Sequence, residues 1–154
     1  MKALSIQHPW VDAILAGEKT IEIRSWETSY RGEFLLHASK AWGKKQKDLF
    51  SFIQRRYKLK LPFPEHAGEN GIVGIATLES IRAVGGARGS LRKDARAALA
   101  EPRDFGLPGW RLTNVRPLEF IPCNGALGLF NVSPEVEAQV LAQLGRSLES
   151  SPAL

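Results

Sequence analysis

One short stretch of the 154-residue chain holds the side chains best suited to bind or act on a polar ligand. Lys19, Glu22 and Arg24 fall within residues 17–24, where a glycine turn leads into a strand-like sequence. A lysine and a carboxylate three residues apart can bind a phosphate, exchange a proton or form a simple ion pair. A strand whose solvent face carries a salt bridge therefore stays open as an alternative to a functional site.

Aromatic and basic residues follow directly. Trp26, Tyr30 and Arg31 come within nine residues of Glu22. Guanidinium groups bind phosphate through forked hydrogen bonds, and an aromatic ring that stacks on a base contributes roughly 1–3 kcal/mol. Apolar and polar residues alternate from Thr20, so Glu22, Arg24 and Trp26 should share one strand face. We therefore expect Trp26 to be partly exposed and this region to bind a nucleotide.

The positive charge of the chain is concentrated. Its net charge is +5 and its pI about 9.6, in the range typical of nucleic-acid-binding domains. Residues 40–60 carry eight basic side chains against one acidic residue, Asp48, an excess of seven. A second basic surplus lies within residues 82–96. Such clusters are typical of surfaces that bind phosphates, although a basic protein surface with no such role has the same composition.

Several classes of site and location are disfavoured by composition. Cys123 is the only cysteine, and the three histidines lack metal-ligand spacing, so we expect no metal and no cofactor. No apolar run reaches the roughly 18 residues that a membrane span needs, and the N-terminus does not resemble a signal peptide. We expect a cytoplasmic, monomeric protein without membrane contact, with one domain at 1–146 and a frayed tail at 147–154.

The hydrophobic pattern predicts a mixed α+β fold. Helices are expected after Pro9, at 44–57 with an apolar stripe that includes Leu49 and Phe52, at 91–100 and from Pro134. Strands are expected at 2–6, 20–24, 33–39, 71–84, 110–115, 118–121 and 126–132. Strands outnumber helices and no linker divides the chain, so we predict a small mixed β-barrel with helices packed around it.

The motif at residues 17–24 also resembles a known family. Gly17, Lys19, Glu22 and Arg24 complete the pattern G-x-K-x-x-E-x-R of ASCH domains, which belong to the PUA-like group. The flanks at 4–10 and 31–40 fit in register, and together they are most similar to the C-terminal domain of activating signal cointegrator 1. Residues 85–109 resemble no pattern that we can name.

This resemblance implies a PUA-like β-barrel with a cleft lined by the motif, and a role in RNA-linked processes. By position, Ser39 and Lys40 would lie across the cleft from the motif. Nucleic acid is the expected partner, with RNA favoured over DNA and a single-stranded or modified form favoured. Together with the basic segment, the expected binding residues are Lys19, Glu22, Arg24, Trp26, Arg31, Ser39, Lys40, Lys44 and Lys45.

Two alternatives remain open. The first is a hydrolase that acts on RNA or on a modified nucleoside, with Lys19 and Glu22 as its catalytic residues. One enzymatic branch of the resembled family deacetylates N4-acetylcytidine and pairs the lysine with a threonine three residues later, where this chain has Glu22. Because a carboxylate raises the pKa of a neighbouring lysine, we predict a charged Lys19 and no deacetylation. The second alternative is a protein-interaction adaptor. Trp10 and His37 are expected to be structural.

Overall fold

The structure, a computed structural model, describes residues 1–149. It has a mixed α+β fold with one six-stranded sheet and four α-helices. The strands are β1 (Lys2–Ile6), β2 (Ile21–Ile23), β3 (Gly32–Ala38), β4 (Gly71–Ala83), β5 (Pro108–Pro122) and β6 (Leu129–Asn131). The helices are α1 (Trp10–Leu15), α2 (Lys44–Tyr57), α3 (Leu91–Ala98) and α4 (Pro134–Glu149), with a short 3-10 turn at Pro102–Asp104.

The sheet is open, so the expected barrel is wrong. Its strand order is β2-β5-β4-β3-β1-β6, with β1 and β3 parallel and every other pair antiparallel. The two outermost strands, β2 and β6, have three residues each and pair only with β5 and β1. Closure of a barrel needs the first and last strands to hydrogen-bond to each other, and these two lie at opposite edges.

Both faces of the sheet are buried. Side chains alternate between the faces of a strand, and Phe34 and Leu36 on β3 pack in one cluster with Ile14 of α1. Leu35 packs on the other face with Val140 of α4. Helix α2 is stacked behind α1, where Ile53 contacts Ala13. The short helix α1 is thus held between the sheet and α2, which fixes the turn that follows it.

Most elements lie where the sequence predicts them. The bounds of α2 are those expected, and the amide of Gln46 accepts a hydrogen bond from the Gly43 N–H at its start, 2.9 Å. The main difference is β5, a continuous strand where two segments around Pro117 were expected. β2 covers β5 only at Gly109–Arg111, so β5 has an open edge at Pro117, which is where a strand tolerates proline.

The last helix extends into the region expected to be a tail. α4 runs through Glu149, and residues 150–154 lie outside the described residues. None of the helices within residues 1–149 combines the length and the apolar character needed to cross a membrane.

Candidate nucleic-acid interface

Lys19 is buried at the turn between α1 and β2. Gly17 adopts a positive φ of 77°, a conformation that glycine reaches at no steric cost. The N–H groups of Glu18 and Lys19 then donate to the carbonyl of Ala13, at 2.9 and 3.1 Å. This tight turn directs the lysine side chain inward, and only 3% of it is exposed. Its Nζ atom donates to the carbonyl oxygen of Ala98, at 2.5 Å, near the end of α3.

The surroundings of Lys19 set its charge. Burial is the largest effect and lowers the pKa of Lys19 below its ordinary value of 10.5, while the nearby carboxylate of Glu22 partly opposes it. Nζ lies 3.7 Å from Oε1 of Glu22 and 5.3 Å from the centre of the Trp10 ring. The prediction that Glu22 would raise this pKa overall is therefore wrong, because the sequence did not show how deeply the lysine is buried.

Glu22 connects Lys19 to Arg24. Oε2 of Glu22 accepts a hydrogen bond from Nε of Arg24 at 3.0 Å, and Nη2 of Arg24 donates to the carbonyl of Ser5 on β1 at 2.8 Å. Glu22 is only 6% exposed, although the alternation of the strand predicts a polar face. A polar side chain is tolerated there because both of its carboxylate oxygens face a cation.

Lys19 and Glu22 lie in a cleft of about 280 Å³, here called the Lys19 cleft. Apolar and aromatic side chains from α1, α2 and α3 form much of its wall, and three cations and three carboxylates complete it. It is lined by Trp10, Lys19, Glu22, Ile23, Lys45, Leu49, Phe52, Ala98, Leu99, Glu101, Arg103 and Asp104. The charges balance inside the cleft, so the surplus of positive charge lies outside it, on the exposed face of α2.

One wall of the cleft comes from residues that resemble no known pattern. α3 and the segment after it supply Ala98, Leu99, Glu101, Arg103 and Asp104. α3 is fixed by Asp94, which binds Arg111 of β5 at 2.9 Å. This wall could not be predicted from local patterns, because the contact between Lys19 and Ala98 joins residues 79 positions apart.

Helix α2 contributes the opposite wall. Lys45, Leu49 and Phe52 are spaced four and three residues apart, so they lie on one helix face, and all three line the Lys19 cleft. The sequence assigned Leu49 and Phe52 to the buried stripe of the helix. Phe52 is 38% exposed, and an exposed aromatic ring at a cleft is available to a ligand. Trp10, expected in the core, also packs against the core but lines the cleft as well.

Two further depressions continue the Lys19 cleft along the surface. The first, the Arg24 trough, holds about 370 Å³ and shares Trp10, Glu22 and Ile23 with the cleft. Ser5, Gln7, Arg24, Ser25, Trp26 and Ser39 complete its lining. The second, the Leu127 trough, holds about 510 Å³ and is lined by Leu4, Ser5, Arg24, Trp26, Gly125, Ala126, Leu127 and Gly128. The shared residues make one continuous groove.

Trp26 is half-buried in the wall of both troughs. Its ring packs edge-to-face against Trp110, with centroids 4.8 Å apart, and the indole N–H of Trp110 donates to the Trp26 carbonyl at 3.2 Å. These contacts hold the ring in place from the core side. The predicted partial exposure of Trp26 is found in the structure.

Ser39 lines the Arg24 trough and belongs to a hydrogen-bonded network with Ser5 and His37. The hydroxyl of Ser5 lies 3.0 Å from that of Ser39 and 2.8 Å from Nδ1 of His37, whose Nε2 lies 2.7 Å from the Cys123 carbonyl. Burial lowers the pKa of His37, so it is neutral near pH 7, and Nε2 carries the proton donated to the carbonyl. His37 therefore ties β3 to the chain after β5, a structural role as expected.

Three of the expected binding residues do not line the groove. Lys40 and Lys44 are exposed, and Lys44 forms an ion pair with Asp48 at 2.6 Å. Arg31 is also exposed and donates to the carbonyls of Thr28 and Tyr30 in its own loop, both at 2.7 Å. The structure thus gathers Lys19, Glu22, Arg24, Trp26, Ser39 and Lys45 in one groove. Within residues 1–149, no group of three or more histidine, cysteine or acidic side chains is placed to hold a metal ion.

Known proteins resemble this chain in family and fold. No curated protein matches it in sequence. The crystal structure of ASCH from Zymomonas mobilis superposes with a TM-score of 0.59 at 14% identity, over 92% of this chain and 93% of that one. A single-residue mutant of the same protein gives 0.58 at 15% identity, over 92% and 96% of the two chains. The chain therefore has the fold of these ASCH structures.

The family follows from the sequence itself. The model of the ASCH domain matches residues 4–122, which is more than half of the chain and includes the motif at residues 17–24, the Lys19 cleft and the Arg24 trough. The loop at residues 125–128 that lines the Leu127 trough follows the matched range. We conclude that this chain belongs to the ASCH domain family.

Proposed function

We propose that the chain binds nucleic acid by inserting an unpaired base into the Lys19 cleft while its phosphates contact the exposed lysines of α2. The observation that carries this proposal is the buried Lys19 side chain, which lies over the Trp10 ring and beside Glu22 in a cleft bordered by the lysine-bearing helix α2. A base has a flat apolar face and polar edges, and this cleft offers partners for both.

The lining matches a base in chemistry. The rings of Trp10 and Phe52 provide aromatic surface for its faces. Glu22 and Glu101 accept hydrogen bonds from amino groups, and Lys19 donates to a ring carbonyl. Because the charges inside the cleft balance, the cleft favours a neutral group over a phosphate, and this separates base recognition from phosphate binding on α2.

We further propose that the chain prefers RNA to DNA. We also propose that, within its family, the chain is closely related to the C-terminal domain of activating signal cointegrator 1. Both rest on the motif and its flanks at residues 4–10 and 31–40. The protein acts as a monomer in this account, because the groove is formed within one chain.

Salt dependence tests the proposal. Binding of a labelled single-stranded RNA should weaken with salt by about 0.7 log units per log of salt for each phosphate contacted. The variant Lys45→Glu/Lys47→Glu should weaken binding and flatten that slope. Arg116→Glu/Arg146→Glu makes the same charge change at exposed sites near α4, and it should alter binding much less. Equal losses for both variants, or no binding at low salt, would contradict the proposal.

A hydrolase that acts on RNA or a modified nucleoside is the second candidate. The observation that favours it is the lowered pKa of Lys19 beside Glu22 in a cleft, since perturbed groups of this kind are enriched at catalytic sites. Such a pair can transfer a proton between a bound substrate and water. RNA cleavage that Lys19→Met abolishes, while binding persists, would establish this function in place of simple binding.

A further inference from the structure

We propose that the groove holds a second base-binding subsite between Trp26 and Leu127, separated from the Lys19 cleft by Arg24. The inference rests on the proposed function and extends it. It identifies the ligand as single-stranded nucleic acid of at least two nucleotides, with one base in the cleft, a phosphate at Arg24 and the next base in the Leu127 trough.

The geometry of the groove orders these three positions. The Lys19 cleft and the Arg24 trough share Trp10, Glu22 and Ile23. The Arg24 trough and the Leu127 trough share Ser5, Arg24 and Trp26. Arg24 therefore lies between two sites that each hold aromatic or aliphatic surface, and this alternation of apolar, cationic and apolar groups matches base, phosphate and base along a strand.

The guanidinium group of Arg24 is already oriented by hydrogen bonds within the protein. Its Nε and Nη2 atoms donate to Glu22 and to the Ser5 carbonyl, so the guanidinium plane is fixed before any ligand binds. Nη1 still has N–H groups to donate, and a guanidinium held in this way binds an anion with little loss of side-chain freedom. The Leu127 trough contains no other cation, which makes Arg24 the phosphate contact between the two bases.

Leu127 is exposed to an unusual degree for a large apolar residue. Its relative exposure is 98%, and it lies on the loop between β5 and β6. The loop is nevertheless packed tightly at its base: a Cβ atom on Gly125 would come within 2.8 Å of the His37 ring and 2.9 Å of the Ser5 hydroxyl. Leu127 and Trp26 line the same trough, and a base between them would cover both side chains.

This arrangement requires unpaired bases. In a duplex the base faces are stacked on their neighbours and cannot enter the cleft or contact Trp26 and Leu127. Sequence-tolerant contacts to splayed bases are typical of proteins that bind single strands. We therefore expect an RNA duplex of the same sequence to bind only through its phosphates, and more weakly.

A length series tests the second subsite. We would measure the affinity of the full chain for labelled RNA of one, two, three and six nucleotides, and for a six-base-pair duplex. Leu127→Ala should weaken binding of the trinucleotide about three- to tenfold and leave binding of the mononucleotide unchanged. Trp26→Ala should weaken the trinucleotide about five- to 150-fold. Leu141→Ala, at an exposed leucine on α4, is the matched control and should change neither.

Each outcome decides the inference. Stronger binding of the dinucleotide than of the mononucleotide, lost in Leu127→Ala, supports it. If oligonucleotides bind but Leu127→Ala behaves like Leu141→Ala, the second subsite is wrong and the proposed function stands. If the duplex binds as tightly as the single strand, both the second subsite and the insertion of an unpaired base into the Lys19 cleft are wrong. If no RNA of any length binds at low salt, the proposed function fails and this inference fails with it. Because Leu127 is fully exposed, its truncation should leave the fold intact, and thermal melting verifies that.

Discussion

The Nζ atom of Lys19 lies 3.7 Å from Oε1 of Glu22, and neither side chain is more than 7% exposed. Two opposite charges this close and this buried form an ion pair whose desolvation cost is large. The second oxygen of Glu22 is held by Arg24, and the ammonium of Lys19 by a carbonyl of α3. The pair thus links β2 to α3 at the bottom of a cleft that a ligand can enter.

The first prediction concerns the ionisation of Lys19. Its pKa should fall below 10.5 and below that of every exposed lysine, because burial disfavours the ammonium. At pH values between the lowered pKa of Lys19 in the folded chain and its ordinary pKa in the unfolded chain, the unfolded chain binds more protons. The free energy of unfolding should therefore rise with pH in that range. NMR titration of labelled lysine side chains measures the pKa directly. Lys19→Met should remove both the signal and the rise, and an ordinary pKa for Lys19 would contradict the account.

The second prediction concerns the buried pair that holds α3. Hydrogen bonds from Arg111 lower the pKa of Asp94, so its stabilising contribution is present above about pH 4 and is lost as the pH falls through the lowered value. Asp94→Asn should cost about 3 kcal/mol in unfolding free energy, because it leaves Arg111 without a counter-charge. The control is Glu33→Gln, which breaks the exposed pair with Arg116 and should cost less than about 1 kcal/mol. Equal losses in denaturant unfolding would show that the Asp94 pair has no special role.

The third prediction concerns Tyr57, which supports the wall of the cleft near Glu101. Its hydroxyl donates to the Ala100 carbonyl at 3.1 Å and to Glu101 at 3.2 Å, and burial followed by the charge of Glu101 raises its pKa to about 12. The stability that this group provides is present below pH 10 and is lost between pH 10 and 12, because the unfolded phenol ionises first. Phenolate absorbance should show a late titration step that Tyr57→Phe removes. If the step that Tyr57→Phe removes lay near pH 10 instead, the hydrogen bonds would be contradicted.

The fourth prediction concerns acyl transfer. Among the described residues that line the Lys19 cleft, none carries a hydroxyl group, and Thr20 is exposed. An activated lysine without a neighbouring nucleophile cannot form an acyl intermediate. We therefore expect no release of cytidine from N4-acetylcytidine, measured by chromatography. Glu22→Thr is the informative variant, since gained activity would show that one side chain separates binding from catalysis. Robust release by the natural chain, lost in Lys19→Met, would overturn this expectation.

Local patterns predicted much of the fold. The bounds of α2 were readable because they depend on residues four or fewer positions apart. Its apolar stripe was predicted only in part, since Ile53 is buried but Phe52 is exposed at the Lys19 cleft. The open sheet was not, because β2 and β6 pair over only three residues each, and a short sequence of alternating residues does not show which strands meet. Likewise, the strand pattern placed Glu22 on a polar face, whereas Glu22 is buried between Lys19 and Arg24.

The candidate site was predicted only in part, because local spacing can be read from the sequence and contacts between distant residues cannot. The motif residues Lys19, Glu22 and Arg24 do meet in one groove. Their chemistry, however, also depends on the segment from Ala98 to Asp104, which lines the same cleft and is marked by no short motif. Burial lowers the pKa of Lys19 against the opposing charges of Glu22 and Asp104, and neither the burial nor the place of Asp104 could be inferred from the spacing of residues 17–24.

The most direct test of the central claim is an NMR titration of the isotope-labelled chain with a short single-stranded RNA at low salt. We expect the largest amide shift changes to cluster around the Lys19 cleft and the Arg24 trough, at Glu22, Ile23, Leu49, Leu99 and Trp26, with smaller changes along the lysines of α2. Changes confined to the exposed faces of α2 and α3, or centred on α4, would contradict the claim that an unpaired base enters the cleft.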